Sequence, residues 1–247
     1  MIKTVAFAIS LSLTALSAQA QPTRLLVRAQ ALDAKFIGDE MGGVAITLSD
    51  ARTGAILATG LTRGATGDTN RIVRNPKVRW AGVTDATTAG FETTLDIDQP
   101  TLVRAEAVGP MGKPASAIRV SSTLLLIPGR DVVGDGWVLT FPGLVIEPTA
   151  EPAAAGFRVT ATVRLMCGCP IEPGGLWDAA NYSVEAFQMK GKRVVARAAL
   201  TYAGRPSTFS GEFPKGDSGR YRLRIVATDA KSPNAGAVEQ DLRLPLR

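Results

Sequence analysis

The sequence predicts an all-β protein built from two tandem β-sandwich domains joined by a Pro/Ala-rich linker. Apolar and polar residues alternate with a period of two along most of the chain, and β-branched residues are frequent in those runs. Gly, Pro and Asp interrupt the runs at short intervals. No stretch keeps a helical period for the length that a stable helix needs. Short strands separated by turns at this spacing are typical of sandwiches.

Thirteen strands are expected, each bounded by turn residues. Those of the first part fall near residues 25–32, 44–50, 55–62, 90–97, 102–108, 118–127 and 137–146. Those of the second part fall near residues 157–166, 182–189, 194–202, 208–213, 221–228 and 237–244. Between the two sets, EPTAEPAAAG lacks alternation and is typical of a semi-stiff linker. We therefore expect a signal peptide over 1–20, one domain over 21–147, a linker over 148–156 and a second domain over 157–247.

The first twenty residues have the features of a secretory signal peptide. Lys3 precedes an apolar run over Val5–Leu16, and small residues precede a cleavage site before Gln21. That run is shorter than the roughly 20 residues of a membrane span, and no later segment qualifies as one. We expect a periplasmic or secreted protein without a transmembrane segment after cleavage. Because Gln21 is not a cysteine, no lipoprotein anchor is expected.

Composition excludes several classes of catalyst. The chain has no histidine, which removes Ser-His-Asp and Cys-His nucleophile pairs, HExxH zinc proteases and imidazole-bound copper or iron. Carboxylate, lysine and thiol chemistry remain, but no catalytic constellation is recognisable; Asp131 and Asp135, for example, flank VVG without reproducing a calcium loop. We expect no catalytic residues and no cofactor.

Charge is unevenly distributed. Residues 21–155 carry 13 Lys+Arg against 14 Asp+Glu, whereas residues 156–247 carry 14 against 8. The second part is therefore the basic one, which suits an anionic partner, although solubility alone also explains such a charge. We expect the partner to be another envelope protein or an anionic surface, and we expect no nucleic acid.

The first domain contains a hairpin pattern, GGVAITLSDARTGAILATGLT over Gly42–Thr62, in which Val44, Ile46 and Leu48 are expected to point inward. Together with Ala89–Gly109, this pattern resembles the transthyretin-like sandwiches found in secreted bacterial proteins. The resemblance covers roughly the first hundred mature residues. It implies a scaffold or binding module and carries no catalytic residue.

The second domain contains GDSGRYRLRIVATD, in which Asp217, Gly219 and Tyr221 form a D-x-G-x-Y pattern. This resembles the tyrosine corner of immunoglobulin-like and fibronectin-like domains, where the tyrosine hydroxyl bonds back to the backbone. Leu223 stands where antibody domains have their second cysteine, so packed aliphatic residues are expected in place of the disulfide between the sheets. A shared sandwich does not specify a function.

Two basic features are candidates for an anionic partner. Arginines alternate along two predicted strands and would form one basic sheet face if those strands are neighbours: Arg193, Arg197, Arg220, Arg222 and Arg224. An ordinary solvated face is the alternative.

The segment Arg63–Val83 has five basic residues against the single acid Asp68. It is either a basic lip around a ligand or a mobile insertion, with a short edge strand at Val78–Ala81.

The only two cysteines, Cys167 and Cys169, stand where a strand leaves its sheet. Three states are open. Export favours a disulfide, because Gly168 can bend the chain to the roughly 4.4–6.8 Å Cα separation that disulfides require. Two thiolates with Met166 or Met189 would suit Cu(I). A strained pair could also exchange disulfides with a partner.

Trp177 and Asp178 close the same loop. They either form a lid over the cysteine pair or anchor the loop in the core. The sequence as a whole predicts an exported, non-catalytic binding or scaffold protein of the bacterial envelope. The alternative is a periplasmic Cu(I)-binding or thiol–disulfide protein centred on the two cysteines.

Overall fold

The computed structural model describes residues 20–244. The predicted signal peptide lies outside the described residues, apart from its last residue. Within 20–244 the chain is all-β, as predicted, and forms fifteen strands, three short 3-10 helices and one π-helical turn. No helix in this range is long and apolar enough to serve as a membrane span.

The first seven strands form two sheets. Their bounds are β1 Gln21–Ala31, β2 Ala45–Asp50, β3 Ile56–Leu61, β4 Phe91–Ile97, β5 Thr101–Gly109, β6 Ile118–Leu126 and β7 Val132–Phe141. One sheet has the order β4-β1-β7, in which β1 is antiparallel to β4 and parallel to β7. The other has the order β3-β2-β5-β6 and is antiparallel.

The remaining strands form two further sheets. Their bounds are β8 Leu144–Ala153, β9 Gly156–Leu165, β10 Tyr182–Lys190, β11 Arg193–Ala199, β12 Thr201–Tyr202, β13 Thr208–Pro214, β14 Gly219–Asp229 and β15 Ala235–Leu244. The sheet orders are β11-β10-β14-β15 and β12-β13-β9-β8, both antiparallel. The short helices cover Asp39–Met41, Pro114–Ser116 and Ala179–Asn181, and the π-helical turn covers Asn70–Arg74.

The core follows the alternation that predicted the strands. Val44, Ile46 and Leu48 are at most 1% exposed, as expected of the inward face of the first hairpin. Leu223, at the position of the absent cysteine, is fully buried. Buried apolar side chains of the two groups of sheets belong to one continuous cluster. Within residues 20–244 the core is therefore continuous.

The predicted linker over 148–156 is wrong. Residues 144–153 form β8, which pairs along its whole length with β9. Pro148 and Pro152 are tolerated because β8 is the edge strand of its sheet: an edge strand has one side free of ladder hydrogen bonds, where a missing N–H costs little. The boundary expected after residue 147 falls inside a strand. The division of the chain into two domains stays a prediction.

Two predicted strands are each divided. The run expected over 137–146 breaks at Pro142 and Gly143, and Gly143 has φ +139°. The run expected over 194–202 breaks at Leu200, whose amide donates to the Val184 carbonyl at 2.8 Å. Residues before Leu200 pair in one sheet and residues after it pair in the other. Pro142 and Gly143 are turn residues that indicate the first break, whereas no turn residue marks the break at Leu200.

The corner that the immunoglobulin-like resemblance implies is present. The Tyr221 hydroxyl donates to the backbone carbonyl of Asp217 at 3.0 Å. Gly219 begins β14 between them. Tyr221 is 7% exposed and belongs to the hydrophobic core, so this hydrogen bond connects a core side chain to the preceding loop.

Candidate functional site

Cys167 and Cys169 lie in a tight turn directly after β9. Gly168 has φ +82°, a conformation that favours glycine, and its amide donates to the Leu165 carbonyl at 2.8 Å. The turn places the two sulfur atoms side by side and the Cα atoms 5.4 Å apart. That separation lies within the disulfide range, so the backbone suits the first of the three predicted states.

Both cysteines are buried, with exposures of 1% and 5%. A methyl group on Gly168 would lie 2.9 Å from the Sδ atom of Met41, so the turn packs on the first group of sheets. Exchange of disulfides requires an accessible sulfur. The burial of Cys167 and Cys169 therefore does not favour exchange with a partner.

The sulfur neighbours of the cysteine pair include one predicted thioether and one that was not predicted. Met166 is buried beside it, and Met41, which sequence reasoning missed, adds a thioether from a distant part of the chain. Met189, the other predicted thioether, is buried near the end of β10. Within residues 20–244 no group of three or more Cys, Asp or Glu side chains is placed to hold a metal ion. Cu(I) binding stays a prediction.

Trp177 and Asp178 make anchoring contacts. The Trp177 indole N–H donates to the Asp33 carbonyl at 3.0 Å, and the ring is 8% exposed. The Asp178 carboxylate accepts a hydrogen bond from the Ala180 amide at 3.0 Å and caps the short helix that follows. Of the two predicted roles, these contacts match the anchor.

The predicted basic sheet face is divided and partly neutralised. Arg220, Arg222 and Arg224 lie on β14, and Arg193 and Arg197 lie on β11; β10 separates the two strands, so they are not neighbours. Glu239 on β15 accepts hydrogen bonds from Arg222 at 2.8 Å and Arg224 at 2.7 Å. These bonds, led by that from Arg224, hold the pKa of Glu239 below its usual range. The face offers less free positive charge than the sequence suggested.

The segment Arg63–Val83 is folded onto the first group of sheets. Arg63 forms a β-bridge with Gly90. Ile72, in the π-helical turn, is 4% exposed and anchors that turn to the body of the protein. The edge strand predicted at Val78–Ala81 is wrong: these residues form a turn in which the Ala81 amide donates to the Val78 carbonyl at 3.1 Å.

A buried arginine, Arg28, binds the backbone a few residues after this segment ends. Arg28 on β1 is 4% exposed, and its guanidinium donates to the carbonyls of Thr88 and, at 2.9 Å, Ala89. Burial lowers the pKa of Arg28, and the negative charges of Asp135 and Asp85 oppose that shift. No local pattern indicates this role, because Arg28 lies within an otherwise ordinary strand.

Asp135 fixes the backbone where the segment ends. It accepts hydrogen bonds from the Val83 amide at 3.0 Å, the Thr84 amide at 2.9 Å and the Thr84 hydroxyl at 2.7 Å. Burial raises the pKa of Asp135, but these bonds and the buried arginine outweigh burial and leave the pKa below its usual value. Arg71 donates to the Gly82 carbonyl at 3.0 Å and joins the two arms of the segment.

Beyond these anchors projects the Trp80 loop, defined as residues 75–82. Trp80 is 89% exposed and Val78 is 71% exposed. The Arg79 guanidinium lies 4.9 Å from the centre of the Trp80 ring, a cation–π distance. Trp80 has φ +67°, a backbone conformation that is unusual for a bulky residue.

A groove of about 650 Å³ lies at the start of the segment, and its lining includes Arg63, Thr66, Thr87, Asp39 and Glu40. Arg63 approaches Asp39 to 3.7 Å, and the Asp39 carboxylate also accepts the Gly64 amide. The groove is thus bordered by acids as well as by a base. It does not form the basic lip that the sequence suggested.

No protein-family model matches the chain, and no curated protein resembles it significantly. Two solved structures align over most of its length. A DUF3823 family protein from Bacteroides uniformis has 13% identity and a TM-score of 0.31, covering 90% of this chain and 99% of its own. The chicken interferon gamma receptor alpha chain has 11% identity and a TM-score of 0.35, covering 91% and 98%. Neither likeness transfers a function or a site to this chain.

Proposed function

We propose that this is an exported, non-catalytic binding protein of the bacterial envelope and that the Trp80 loop is its contact site. The observation that carries the proposal is the 89% exposure of Trp80 at the tip of an anchored loop. Large apolar side chains so exposed mark interaction sites when they are grouped, and Val78 accompanies Trp80 here. Trp and Arg are also the side chains that most often dominate binding energy.

The anchoring hydrogen bonds restrict the conformation of the loop. Asp135 binds the backbone directly after the loop, Arg28 binds it again at Ala89, and Arg71 joins the two arms at Gly82. A loop held in one conformation loses little entropy when it binds, which favours affinity. The combination of a fixed base and an exposed aromatic tip supports recognition, and the loop carries no group arranged for turnover.

Cys167 and Cys169 have a structural role in this proposal. Their burial, their 5.4 Å Cα separation and the packing of Gly168 on Met41 support a disulfide that fixes the turn between the two groups of sheets. The alternative of a Cu(I) or thiol–disulfide protein has less support, because the sulfurs lack access to solvent. Counting free thiols before and after unfolding tests this: none should be found in either state.

Pelleting with envelope fractions tests the binding function. Purified wild-type protein, Trp80→Ala and the control Ile56→Ala are incubated with isolated envelope membranes and with peptidoglycan sacculi, then sedimented. Ile56 is a suitable control because it is 68% exposed on a different hairpin. We expect wild type and Ile56→Ala to pellet and Trp80→Ala to stay in solution. Equal pelleting of Trp80→Ala and wild type, or pelleting of none, would refute the contact site.

A further inference from the structure

Positive charge in the first half is concentrated around the Trp80 loop. Residues 69–84 contain Arg71, Arg74, Lys77 and Arg79 and no acid. Without these four, residues 21–155 carry 9 Lys+Arg (13 − 4) against 14 Asp+Glu. The loop and the π-helical turn before it therefore form a local cationic projection on an otherwise acidic half of the molecule, which attracts anions that the rest of that half repels.

Charge and apolar surface occur at the same tip. Trp80 and Val78 are the exposed apolar side chains, and Lys77 and Arg79 alternate with them. The charge alone would attract any polyanion. The interfacial layer of a membrane requires both, because anionic headgroups attract Lys and Arg while the region beneath accepts an amphipathic indole ring.

The size of the tip also favours a lipid surface over a protein. The Trp80 loop is eight residues long, 75–82, and the apolar side chains at its tip, Val78 and Trp80, are exposed. A stable protein interface of standard size takes roughly 20–30 residues a side. A single projecting loop with one Trp, and with cations on and beside it, suits shallow insertion into a bilayer surface, because an amphipathic indole ring is favourably placed among the headgroups.

We infer that the Trp80 loop docks the protein on a membrane surface rich in anionic phospholipid, with Trp80 inserted among the headgroups and the four cations above them. This inference rests on the proposed function and names the partner of the same site. Binding of this kind is reversible and weakens with salt, because the Debye length falls from about 10 Å at 0.1 M to about 3 Å at 1 M.

Vesicle binding tests the inference. The purified protein is sedimented with vesicles of equal parts phosphatidylglycerol and phosphatidylcholine and, separately, of phosphatidylcholine alone. We expect binding to the anionic vesicles, loss of binding in 1 M NaCl and a blue shift of the Trp80 emission. Trp80→Ala should weaken partitioning by about tenfold or more, as the loss of a largely buried aromatic ring would.

Substitutions of single cations test the electrostatic attraction to the vesicle surface separately from the insertion of the Trp80 ring. Arg74→Gln and Lys77→Gln should each weaken partitioning roughly fivefold, the factor for one cation near an anionic surface. The matched controls Arg52→Gln and Ile56→Ala, both on the exposed β2–β3 hairpin, should bind like wild type. Thermal unfolding of each variant checks that the fold is retained.

The outcomes distinguish the two proposals. If wild type pellets with the envelope fractions and Trp80→Ala does not, but wild type does not bind the anionic vesicles, the contact site is supported and the lipid inference is wrong. If wild type binds the vesicles and Trp80→Ala binds equally well, the lipid inference is also wrong. If wild type binds neither vesicles nor envelope fractions, both proposals fall.

Discussion

Single residues decide the local geometry of the cysteine turn. Gly54 and Gly168 have similar backbone conformations, with φ +76° and +82°. Gly54 faces open space, whereas a Cβ at Gly168 would lie 2.9 Å from the Sδ of Met41. Comparing substitutions at these two glycines therefore distinguishes the cost of a left-handed backbone conformation from the cost of crowding by a neighbouring side chain.

Substitution by alanine measures that difference. Gly54→Ala should cost about 1 kcal/mol of unfolding free energy, the strain of an alanine in this conformation. Gly168→Ala should cost about 1–3 kcal/mol more, because Met41 must move within a packed core. Urea unfolding at neutral pH gives both values. Equal losses would show that the turn does not pack on Met41 as the structure describes.

The tyrosine corner is also a residue-scale feature. Tyr221→Phe removes the hydroxyl that donates to Asp217 and should lower the unfolding free energy by about 1 kcal/mol. Tyr202→Phe is the control, since Tyr202 contributes an edge-on ring contact with Phe209 at 6.0 Å, which a phenylalanine retains. Chemical unfolding should show the loss in the first variant and little change in the second.

At the scale of elements, alternation predicted most strands to within a few residues, because burial of one face imposes a period of two on the sequence. It failed where pairing decides the structure. Pro148 and Pro152 suggest a linker until β8 is known to be an edge strand. Trp80 looks like part of a strand until its turn is seen, and the bonds of Arg28 and Asp135 join residues too distant in sequence for any local pattern to indicate.

Acid should weaken the hydrogen bonds that hold the backbone directly after the Trp80 loop to Asp135. Because the pKa of Asp135 is lowered in the folded protein, its ionised form contributes stability above the ordinary aspartate value of about 3.9, and that contribution is lost as the pH falls through the lowered pKa. We expect amide exchange at Val83 and Thr84, corrected for intrinsic rates, to accelerate below about pH 4. In Asp135→Asn it should be fast at neutral pH and vary little across this range. Unchanged protection in the wild type would contradict the role of this carboxylate.

At the scale of the whole molecule, the two groups of sheets share a junction instead of a flexible connection. Asn234 is its centre: its side-chain amide donates to the Leu32 carbonyl at 3.0 Å, and its side-chain oxygen accepts the Gly143 amide at 2.8 Å. Trp177 crosses the same junction to Asp33. The sequence indicated none of these pairs, since each joins segments that lie far apart along the chain.

This junction should make unfolding cooperative. Wild-type protein should give one calorimetric transition whose calorimetric and van't Hoff enthalpies agree. Asn234→Ala leaves the Leu32 carbonyl and the Gly143 amide without their partner, at a cost of about 2–4 kcal/mol in total. For a chain of this length each kcal/mol lowers the midpoint by about 2–4 °C. Two separate transitions in the wild type would instead mean that the two groups of sheets fold independently and that their junction contributes little to stability.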